Sequence, residues 1–387
     1  MLPSKSIFAP VLNIGNFDAG FGGTTMPVPL VGHGMRAAVL REYGEPLDVT
    51  EVDAPDPAAD GAVIELEACG ICRSDWHGWQ GEWDWLGLKP PEGQILGHEP
   101  AGKVIDVGSE VENVSEGDQV TVPFNLGDGT CHQCRTGHSN TCENIVPLGL
   151  NEAAPGAFAE EMHVPVADHN AVQLPDGVSA VDMAGLGCRF MTAFHALAHQ
   201  ADVDAGDWVA VHGCGGVGLS AVHIADALGG NVVAIDLQSE KLELAEDLGA
   251  SETVNASETE NVPQEVKAIT DGGAAVSVDA LGIATTCRNS IMSLGTRGQH
   301  VQVGLSTDDE QGSVELPTDM MVMQEIEFVG SLGMPPTRYD EIFRMVADGK
   351  LDPSVVVSET VGLDDVSAKL AAMSDFETMG IPVIDEF

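Results

Sequence analysis

The sequence predicts an α/β protein in which an antiparallel, barrel-like β domain is interrupted by an inserted domain with a doubly wound parallel sheet. Three observations predict this architecture. The first part of the chain has short strands of alternating apolar and polar residues, the middle alternates buried strands with amphipathic helices, and the last part returns to a mixed pattern. With 387 residues, 43% of them hydrophobic, the chain has enough apolar material for two domain cores.

Each element follows from its local pattern. The β domain is predicted from RAAVL, LDVTEV, GAVIELEACGIC, GKVIDVGSEV and GDQVTVP, where the alternation indicates one buried face. The inserted domain is predicted from the strands WVAVHG, NVVAID, AVSVDA and HVQVGL and the helices VGLSAVHIADALGG and SEKLELAEDLGA. We place the inserted domain at residues 182–332 and the β domain at residues 35–181 and 333–387.

The net charge of the chain excludes one class of partner and indicates the salt concentration in which the protein works. Sixteen Lys and Arg residues stand against 61 Asp and Glu residues, and the formal net charge is −45, spread along the whole sequence. Nucleic acid is excluded as a partner because its phosphates would be repelled everywhere. Molar salt reduces the Debye length to roughly 3 Å and removes most of the self-repulsion. The charge therefore predicts a protein of a high-salt cytoplasm.

A glycine-rich turn lies between a predicted strand and a predicted helix in VAVHGCGGVGLSAV. Glycine is needed in such a turn because the backbone must bend tightly and approach a pyrophosphate, which then faces the helix N-terminus. Asp236 ends the next strand, where it can accept hydrogen bonds from ribose hydroxyls, and LQSEK after it has no arginine for a 2′-phosphate. The pattern predicts NAD rather than NADP. The motif residues are Gly213, Gly215, Gly216, Val217 and Gly218.

Three further segments contain residues typical of a catalytic zinc site. CGICRSDWHGWQ supplies Cys72, LGHEPAG supplies His98, and LGCRFMTAFHAL supplies Cys188. Two thiolates and an imidazole leave a fourth position of a tetrahedral zinc ion for water or substrate. A lone cysteine is more often a small buried apolar side chain, but the three residues together predict a metal site.

From Met35 onward the chain resembles the zinc-dependent medium-chain alcohol dehydrogenases, because CGICRSDWH, GHE, GLGCRFMTAFHAL and HGCGGVGL…VVAID occur in the order found in that family. The resemblance implies a GroES-like catalytic domain, a Rossmann domain and a small-molecule alcohol as substrate. It also implies a homo-oligomer, a dimer or a tetramer, because IEFVGSLG matches the family's subunit-contact strand.

The resemblance implies a role for each matching residue. Cys72, His98 and Cys188 match the catalytic zinc ligands. Glu99 matches an acid that can exchange onto the metal, and Asp75 the carboxylate that orients the zinc-binding histidine. The other matches are Ser74 and His77 as the proton relay, Arg73 as a pyrophosphate contact, Thr192 as a nicotinamide contact, Lys241 as an adenosine-side contact and Val303 as a cofactor-binding residue.

A second cysteine cluster, GDGTCHQCRTGHSNTCEN, departs from the family pattern of four cysteines. Cys131, Cys134 and Cys142 are present, and Asp128 stands where the first cysteine is expected. A carboxylate oxygen is an acceptable zinc ligand, so these four residues predict a structural zinc site. The alternative is a lobe that has lost its metal.

Four tryptophans bear on the substrate, and two alternative functions remain open. Trp76, Trp79, Trp83 and Trp85 follow Cys72 closely and favour an apolar alcohol, although we expect at least two of them only to cover the domain edge. One alternative is a polyol or sugar dehydrogenase of the glucose type. Another is a catalytically inactive zinc-binding structural protein. Near the end of the chain MGIPVID lacks the basic residue that many relatives direct at the cofactor phosphates.

Residues 1–34 precede the matching region. Proline, glycine, asparagine and aspartate interrupt what would be the core of a signal peptide, and no apolar run approaches the roughly 18 residues of a membrane-spanning helix. We expect neither secretion nor membrane insertion but a cytoplasmic enzyme. Residues 1–34 are either a poorly ordered extension or the product of an upstream start codon, with the enzyme proper beginning near Met35, and in both cases they are dispensable to catalysis.

Overall fold

A computed structural model describes residues 33–307, 309–374 and 378–387. The chain divides into two units. The first contains the described residues up to Leu174 together with Gly362–Ser374 and Ile384–Phe387, and the second contains Pro175–Val361 and residues 378–383. Of the predicted N-terminal extension only His33 and Gly34 are described; the rest lies outside the described residues.

The first unit begins with a run of strands, as its alternating pattern predicts. A helix follows the third strand directly, and a 3₁₀ helix, Glu82–Leu86, follows that helix. The strands and helices are β1 Gly34–Val39, β2 Asp48–Asp53, β3 Ala62–Gly70, α1 Arg73–Gln80, β4 Glu99–Val107, β5 Gln119–Thr121, β6 Asn125–Leu126, α2 His132–Arg135, β7 Val146–Pro147, β8 Glu161–Val164, α3 Ala167–Asn170 and β9 Val172–Gln173.

Antiparallel pairing dominates this unit. β3 pairs with β4 on one side and β8 on the other, β5 pairs with β4, and β9 pairs with β5. β1 and β2 form a separate antiparallel ribbon. Gly70, the last residue of β3, lies opposite Glu99, the first residue of β4. This register brings the segment that follows β3 and the residue that precedes β4 to the same edge of the sheet.

The second unit alternates strands and helices. Its elements are α4 Ala180–Gly185, α5 Cys188–His195, β10 Trp208–His212, α6 Gly216–Ala227, β11 Asn231–Asp236, α7 Ser239–Asp247, β12 Glu252–Asn255, α8 Val262–Ile269, β13 Ala274–Asp279, α9 Ala284–Met292, β14 Leu294–Gln302, α10 Thr318–Gln324, β15 Glu327–Gly330, α11 Tyr339–Ala347 and β16 Val357–Gly362. The last helix, α12 Val366–Ser374, belongs to the first unit, and β17 Ile381–Glu386 lies between β16 and β3 in strand order.

The sheet of the second unit is parallel, with the order β12-β11-β10-β13-β14-β15. This is the order of a doubly wound dinucleotide-binding sheet, and ligands of such sheets bind where the order reverses, at the carboxyl ends of the strands. Here the reversal lies between β10 and β13. The central strands are buried, as in a parallel sheet covered on both faces. The predicted fold class is confirmed.

The two units differ from the predicted boundaries in three segments that were placed in the β domain but lie in the second unit: residues 175–181, 333–361 and 378–383. Residues 333–361 were predicted to return to the β domain, but they lie in the second unit. The contact of α11 with α5 gives the physical reason: the Tyr339 hydroxyl lies 2.6 Å from Sδ of Met191, and both side chains are buried. An amphipathic helix shows in sequence that it has an apolar face, not which core that face joins.

A buried polar group stands at the end of β10. His212 is fully buried, and its Nε2 atom has no hydrogen-bond partner. Burial lowers the pKa of His212 to about 3, and the nearby His300 lowers it in the same direction. The neutral imidazole is therefore the form that the folded second unit accepts.

The first prediction concerns acid stability. In the unfolded chain His212 titrates near its ordinary value of 6.5 and in the folded chain near 3, so its contribution to stability is complete above pH 6.5 and is lost as the pH falls toward 3. Between these two pH values the free energy of unfolding falls by about 1.4 kcal/mol per pH unit because of His212. We expect His212→Leu to flatten the fall of the urea midpoint between pH 7 and pH 4.5. His138→Leu, at an exposed histidine, is the control; equal slopes in all three proteins would contradict the prediction.

Candidate metal and cofactor sites

The buried carboxylate of Asp75 organises the edge of the sheet where β3 ends and β4 begins. Its Oδ2 accepts a hydrogen bond from the Cys72 backbone N–H at 2.9 Å. Its Oδ1 accepts from the Gly97 backbone N–H at 3.0 Å and from Nδ1 of His98 at 2.7 Å. Asp75 is only 1% exposed. Both the start of α1 and the orientation of the His98 ring are thus fixed by one side chain.

His98 has the properties of a metal ligand. Because Asp75 binds Nδ1, the other ring nitrogen, Nε2, is left buried without a hydrogen-bond partner. A ring nitrogen of His98 lies within 4.8 Å of Sγ of Cys72. Burial disfavours the imidazolium, but Asp75 and Cys72 outweigh it and raise the pKa of His98 well above its ordinary value. A carboxylate that makes the imidazole more basic is a common partner of zinc-binding histidines. Glu99, next in sequence, is also buried.

Cys188 lies in the second unit, where it is the first residue of α5 and buried. The N-terminus of a helix favours the thiolate form of a cysteine. Thr192 follows one turn later on the same face of α5, and its buried Oγ1 atom has no hydrogen-bond partner. Both positions thus present groups that suit a bound metal or cofactor.

The second cysteine cluster lies wholly in the first unit. One ligand atom of each of its four residues lies within 4.8 Å of the others; the residues are Asp128, Cys131, Cys134 and Cys142. Burial and the neighbouring thiols raise the pKa of Cys134, whereas hydrogen bonds from backbone N–H groups outweigh burial and lower the pKa of Cys131. Three sulfur atoms and a carboxylate oxygen this close together suit a closed tetrahedral zinc site.

Asp128 already has several partners in this lobe. Its Oδ1 accepts from the backbone N–H groups of Thr130 and Cys131, at 2.7 and 2.8 Å. Its Oδ2 accepts from the side-chain amide of Asn144 at 2.7 Å. These donors outweigh burial and hold the pKa of Asp128 far below its ordinary value. The carboxylate is therefore ionised, as a zinc ligand must be.

The residues predicted to move the proton lie on α1. Ser74 Oγ lies 3.9 Å from Sγ of Cys72. His77 is mostly buried, and its Nδ1 atom lies 2.8 Å from Oε2 of Glu82. The structure therefore does not place His77 as an exposed surface histidine. Arg73 lies on the same helix, with its guanidinium carbon 3.6 Å from the centre of the Trp76 ring, and donates a hydrogen bond to the Met373 carbonyl.

The glycine-rich turn of the second unit needs glycine for two distinct reasons. Gly213 has φ 92°, in the left-handed region. A Cβ atom at Gly218 would lie 1.7 Å from the carbonyl oxygen of Gly213, so the first turn of α6 packs directly on the loop. At Gly215, in contrast, an added Cβ would meet nothing within 4 Å, which leaves that side of the loop open to a ligand.

Asp236 and its neighbours complete the cofactor side. Oδ2 of Asp236 accepts from the Cys214 N–H at 2.7 Å and Oδ1 from the Gln238 N–H at 3.0 Å. Lys241 on α7 is buried and lowers the pKa of Cys214, which burial raises more strongly. Val303 follows β14 and donates its N–H to the carbonyl of Asp279 at 3.1 Å. All of these predicted residues belong to the second unit.

Sequence reasoning missed two residues near these sites. Arg189 is buried, and a Cβ at Gly216 would lie 2.3 Å from Cδ of Arg189, so its side chain covers the start of α6. The signal was an arginine inside the otherwise apolar start of a helix, CRFMTAF. The second missed residue is Glu82, the hydrogen-bond partner of His77. Its position five residues after His77 does not predict a contact between them.

Three of the four tryptophans have structural partners in the first unit. The indole N–H of Trp76 donates to Ser374 at 2.8 Å, and that of Trp79 donates to the Glu45 carbonyl at 2.6 Å. Trp83 stacks on His77. Only Trp85 among the four has a buried indole nitrogen without a partner.

Comparison with known proteins assigns the family. The model of the alcohol dehydrogenase GroES-like domain matches residues 58–176, and that of the zinc-binding dehydrogenase matches residues 216–348. An alcohol dehydrogenase of Geobacillus stearothermophilus is 32% identical over 86% of this chain and 95% of its own length. The chain belongs to the zinc-binding alcohol dehydrogenase family. It is an enzyme, a zinc-dependent alcohol oxidoreductase with a GroES-like and a Rossmann domain.

Other members of the alcohol dehydrogenase family support the assignment. An NAD-dependent alcohol dehydrogenase of Sulfurisphaera tokodaii is 32% identical over 90% of this chain and 99% of its own length. The solved structure of the alcohol dehydrogenase TADH from Thermus sp. ATN1 has a TM-score of 0.83 at 29% identity, covering 90% of this chain and 99% of that one. The structure of the alcohol dehydrogenase from Aeropyrum pernix has a TM-score of 0.80 at 32% identity, with the same coverage. Within the described residues no helix is long and apolar enough to cross a membrane.

The second prediction concerns the zinc site expected in the cysteine lobe. Asp128→Asn keeps an oxygen acceptor for the backbone N–H groups of the turn but removes the charged ligand, so we expect it to lose one zinc ion per chain relative to the unchanged protein. Asp128→Cys should retain the metal. Zinc content after dialysis, measured by mass spectrometry, checks this. Glu143→Ala, at an exposed acid of the same lobe, is the control; full zinc content in Asp128→Asn would disprove the assignment.

Proposed function

We propose that the chain is an NAD-dependent member of the family that interconverts an apolar alcohol and its aldehyde or ketone, with the catalytic zinc bound by Cys72, His98 and Cys188. The observation that carries the proposal is the Nε2 atom of His98. It is buried without a hydrogen-bond partner, on a ring held by Asp75, close to the thiol of Cys72. Such an atom is expected where a metal ion binds.

A zinc ion held by Cys72, His98 and Cys188 would supply Lewis acidity at the oxygen atom of the alcohol or carbonyl substrate. Residues of the chain orient and ionise the ligands of this ion. Asp75 holds the His98 ring so that Nε2 would be available to the ion, and the helix N-terminus at Cys188 favours its thiolate. Glu99, which is buried and follows His98 in sequence, would be the acid able to exchange onto that ion.

The hydroxyl proton of the alcohol needs a path, because hydride transfer produces a carbonyl group. Ser74 accepts this proton and His77 passes it toward solvent, both being general acid–base groups on α1. The 3.9 Å distance between Ser74 Oγ and Cys72 Sγ supports the assignment, since it places the hydroxyl beside a metal ligand.

The cofactor contacts follow the family pattern. Gly213, Gly215, Gly216, Val217 and Gly218 bind the pyrophosphate at the N-terminus of α6, and Asp236 accepts from the ribose hydroxyls, which favours NAD over NADP. The remaining contacts are proposed from Arg73 for the pyrophosphate, Thr192 for the nicotinamide, and Lys241 and Val303 for other parts of the cofactor. Arg189 beside Gly216 adds positive charge at the turn, where the last strand offers none.

We further infer a structural zinc ion on Asp128, Cys131, Cys134 and Cys142, a homo-oligomer and a high-salt cytoplasm as the working environment. The edge strand β15 supports the oligomer, because its residues are mostly exposed and Phe328 is 41% exposed. The net charge of −45 supports the high-salt environment.

The third prediction tests the metal and the reaction together. The unchanged enzyme should reduce NAD⁺ faster than NADP⁺ with primary, secondary or benzylic alcohols in molar KCl, and a zinc chelator should abolish turnover. Cys72→Ala and His98→Ala should lose the catalytic zinc and all measurable activity. The readouts are absorbance of the reduced cofactor and zinc content.

Cys69→Ala is the matched control, because Cys69 is fully buried three residues before Cys72 and donates its S–H to the Gly70 carbonyl. It should keep its zinc and its activity. Full activity in zinc-depleted protein would refute the zinc mechanism. Turnover of glucose but of none of the apolar alcohols would favour the sugar dehydrogenase alternative.

The fourth prediction concerns salt. Raising KCl from about 0.1 M to molar concentrations shortens the Debye length from roughly 10 to 3 Å and screens the repulsion among surface carboxylates. We expect the thermal midpoint, followed by circular dichroism, to rise steeply over this range and activity to rise with it. Sucrose at equal osmolality is the control for exclusion effects. A midpoint that does not change with KCl would contradict the assignment to a high-salt environment.

A further inference from the structure

We propose that Glu82 is the positioning residue of the proton relay: its carboxylate holds the His77 ring with Nδ1–H donated to Glu82 and Nε2 available to the moving proton. Oε2 of Glu82 lies 2.8 Å from Nδ1 of His77. The inference rests on the proposed role of His77 and adds a residue that this role does not itself require.

A left-handed turn at Gly81 brings Glu82 to His77. In a continuous α-helix residues five positions apart point in directions about 140° apart, so Glu82 could not meet His77 on α1. The helix ends at Gly81, whose φ of 71° is left-handed, and Glu82 begins the following 3₁₀ helix. A Cβ at Gly81 would also lie 3.0 Å from the Tyr43 ring. Glycine at this position allows the chain to fold Glu82 back over His77.

Packing prevents the His77 ring from turning freely. Trp83 stacks on it at 4.5 Å between ring centres and 19° between planes, and Trp76 meets it edge-on at 5.0 Å and 78°. The His77 side chain is 18% exposed, against 36% for Glu82. Since the ring is confined by the two indoles, which nitrogen carries the proton is decided by the hydrogen bond at Nδ1.

The charges around His77 oppose one another. Burial is the largest influence and lowers the pKa of His77, and Arg73 acts in the same direction. Glu82 raises it through its hydrogen bond and its charge, and Cys72 raises it more weakly. Helix α12 packs on α1 and meets it through the Met373 carbonyl and the Ser374 hydroxyl. Glu82 is thus the main group that keeps the buried imidazole able to take up a proton.

In the relay the proton arrives at Nε2 and leaves from Nε2 to water, while Nδ1–H remains donated to Glu82. Glu82 itself neither gains nor loses the proton. Its negative charge stabilises the imidazolium between proton uptake and proton release. A carboxylate hydrogen-bonded to a catalytic histidine acts similarly in other enzymes.

Two substitutions separate the charge from the hydrogen bond. Glu82→Gln keeps an oxygen that accepts from Nδ1–H but removes the charge, and Glu82→Ala removes both. Asp84→Asn is the matched control, because Asp84 lies exposed on the same 3₁₀ helix and its loss changes the net charge equally. All proteins are used as full-length chains loaded with zinc.

The first readout does not depend on activity. The pKa of His77, measured by NMR of the imidazole carbons and assigned from the signal missing in His77→Gln, should fall in Glu82→Gln and change far less in Asp84→Asn. In alcohol oxidation the acidic limb of kcat/KM should move to lower pH by the same amount. Glu82→Ala should in addition lower the alkaline plateau by roughly tenfold, because no acceptor then fixes the proton on Nδ1 and leaves Nε2 available.

The outcomes are distinguishable. If the His77 pKa is equal in Glu82→Gln and Asp84→Asn, Glu82 does not act on His77 and the inference fails. If that pKa falls but the plateau of Glu82→Ala stays at the unchanged level, the positioning role fails. If His77→Gln leaves the pH profile of the enzyme unchanged, it is the proposed relay that fails.

Discussion

The buried carboxylate of Asp75 is the interaction on which the rest of the first unit's site depends. A buried charge is tolerated only when its oxygens are saturated with hydrogen bonds, and Asp75 achieves this with donors from the start of α1, from the loop before β4 and from the His98 ring. The side chain that directs the imidazole is therefore also the one that starts α1. Ser74 and His77 lie on that helix, so the proposed metal ligand His98 and the proposed proton carriers are all positioned by Asp75.

Much of this arrangement could be predicted from residue patterns. The ends of β3 and β4 carry Cys72 and His98, and the sheet register brings those ends together. The glycine-rich turn is recognisable because only glycine fits the left-handed backbone at Gly213 and the close packing at Gly218. The parts that were missed depend on tertiary packing. Strand β12 is a four-residue edge strand with little apolar pattern, and α11 joins a core that its own sequence does not specify.

The partner of His77 shows why spacing alone is not sufficient. Glu82 stands at a separation that an α-helix forbids, and only the left-handed turn at Gly81 reverses that expectation. The cysteine lobe gives the complementary case. In the sequence Asp128 stands where a sulfur ligand is expected. In the structure its two oxygens accept hydrogen bonds from three N–H donors of the lobe. A cysteine at this position would offer one acceptor atom instead of two, so the aspartate can brace the loop with more hydrogen bonds.

The order of segments along the chain has a consequence for biosynthesis. The sheet of the first unit is flanked by β17, which neighbours β3 although about 300 residues of sequence separate them, and α12 packs on α1 across a similar interval. The second unit, in contrast, is formed largely by one uninterrupted stretch. During translation the second unit can collapse before α12 and β17 have been synthesised, whereas the first unit must wait for both. The sheet that carries Cys72 and His98 near its edge thus lacks one of the strands beside β3 until β17 has been synthesised.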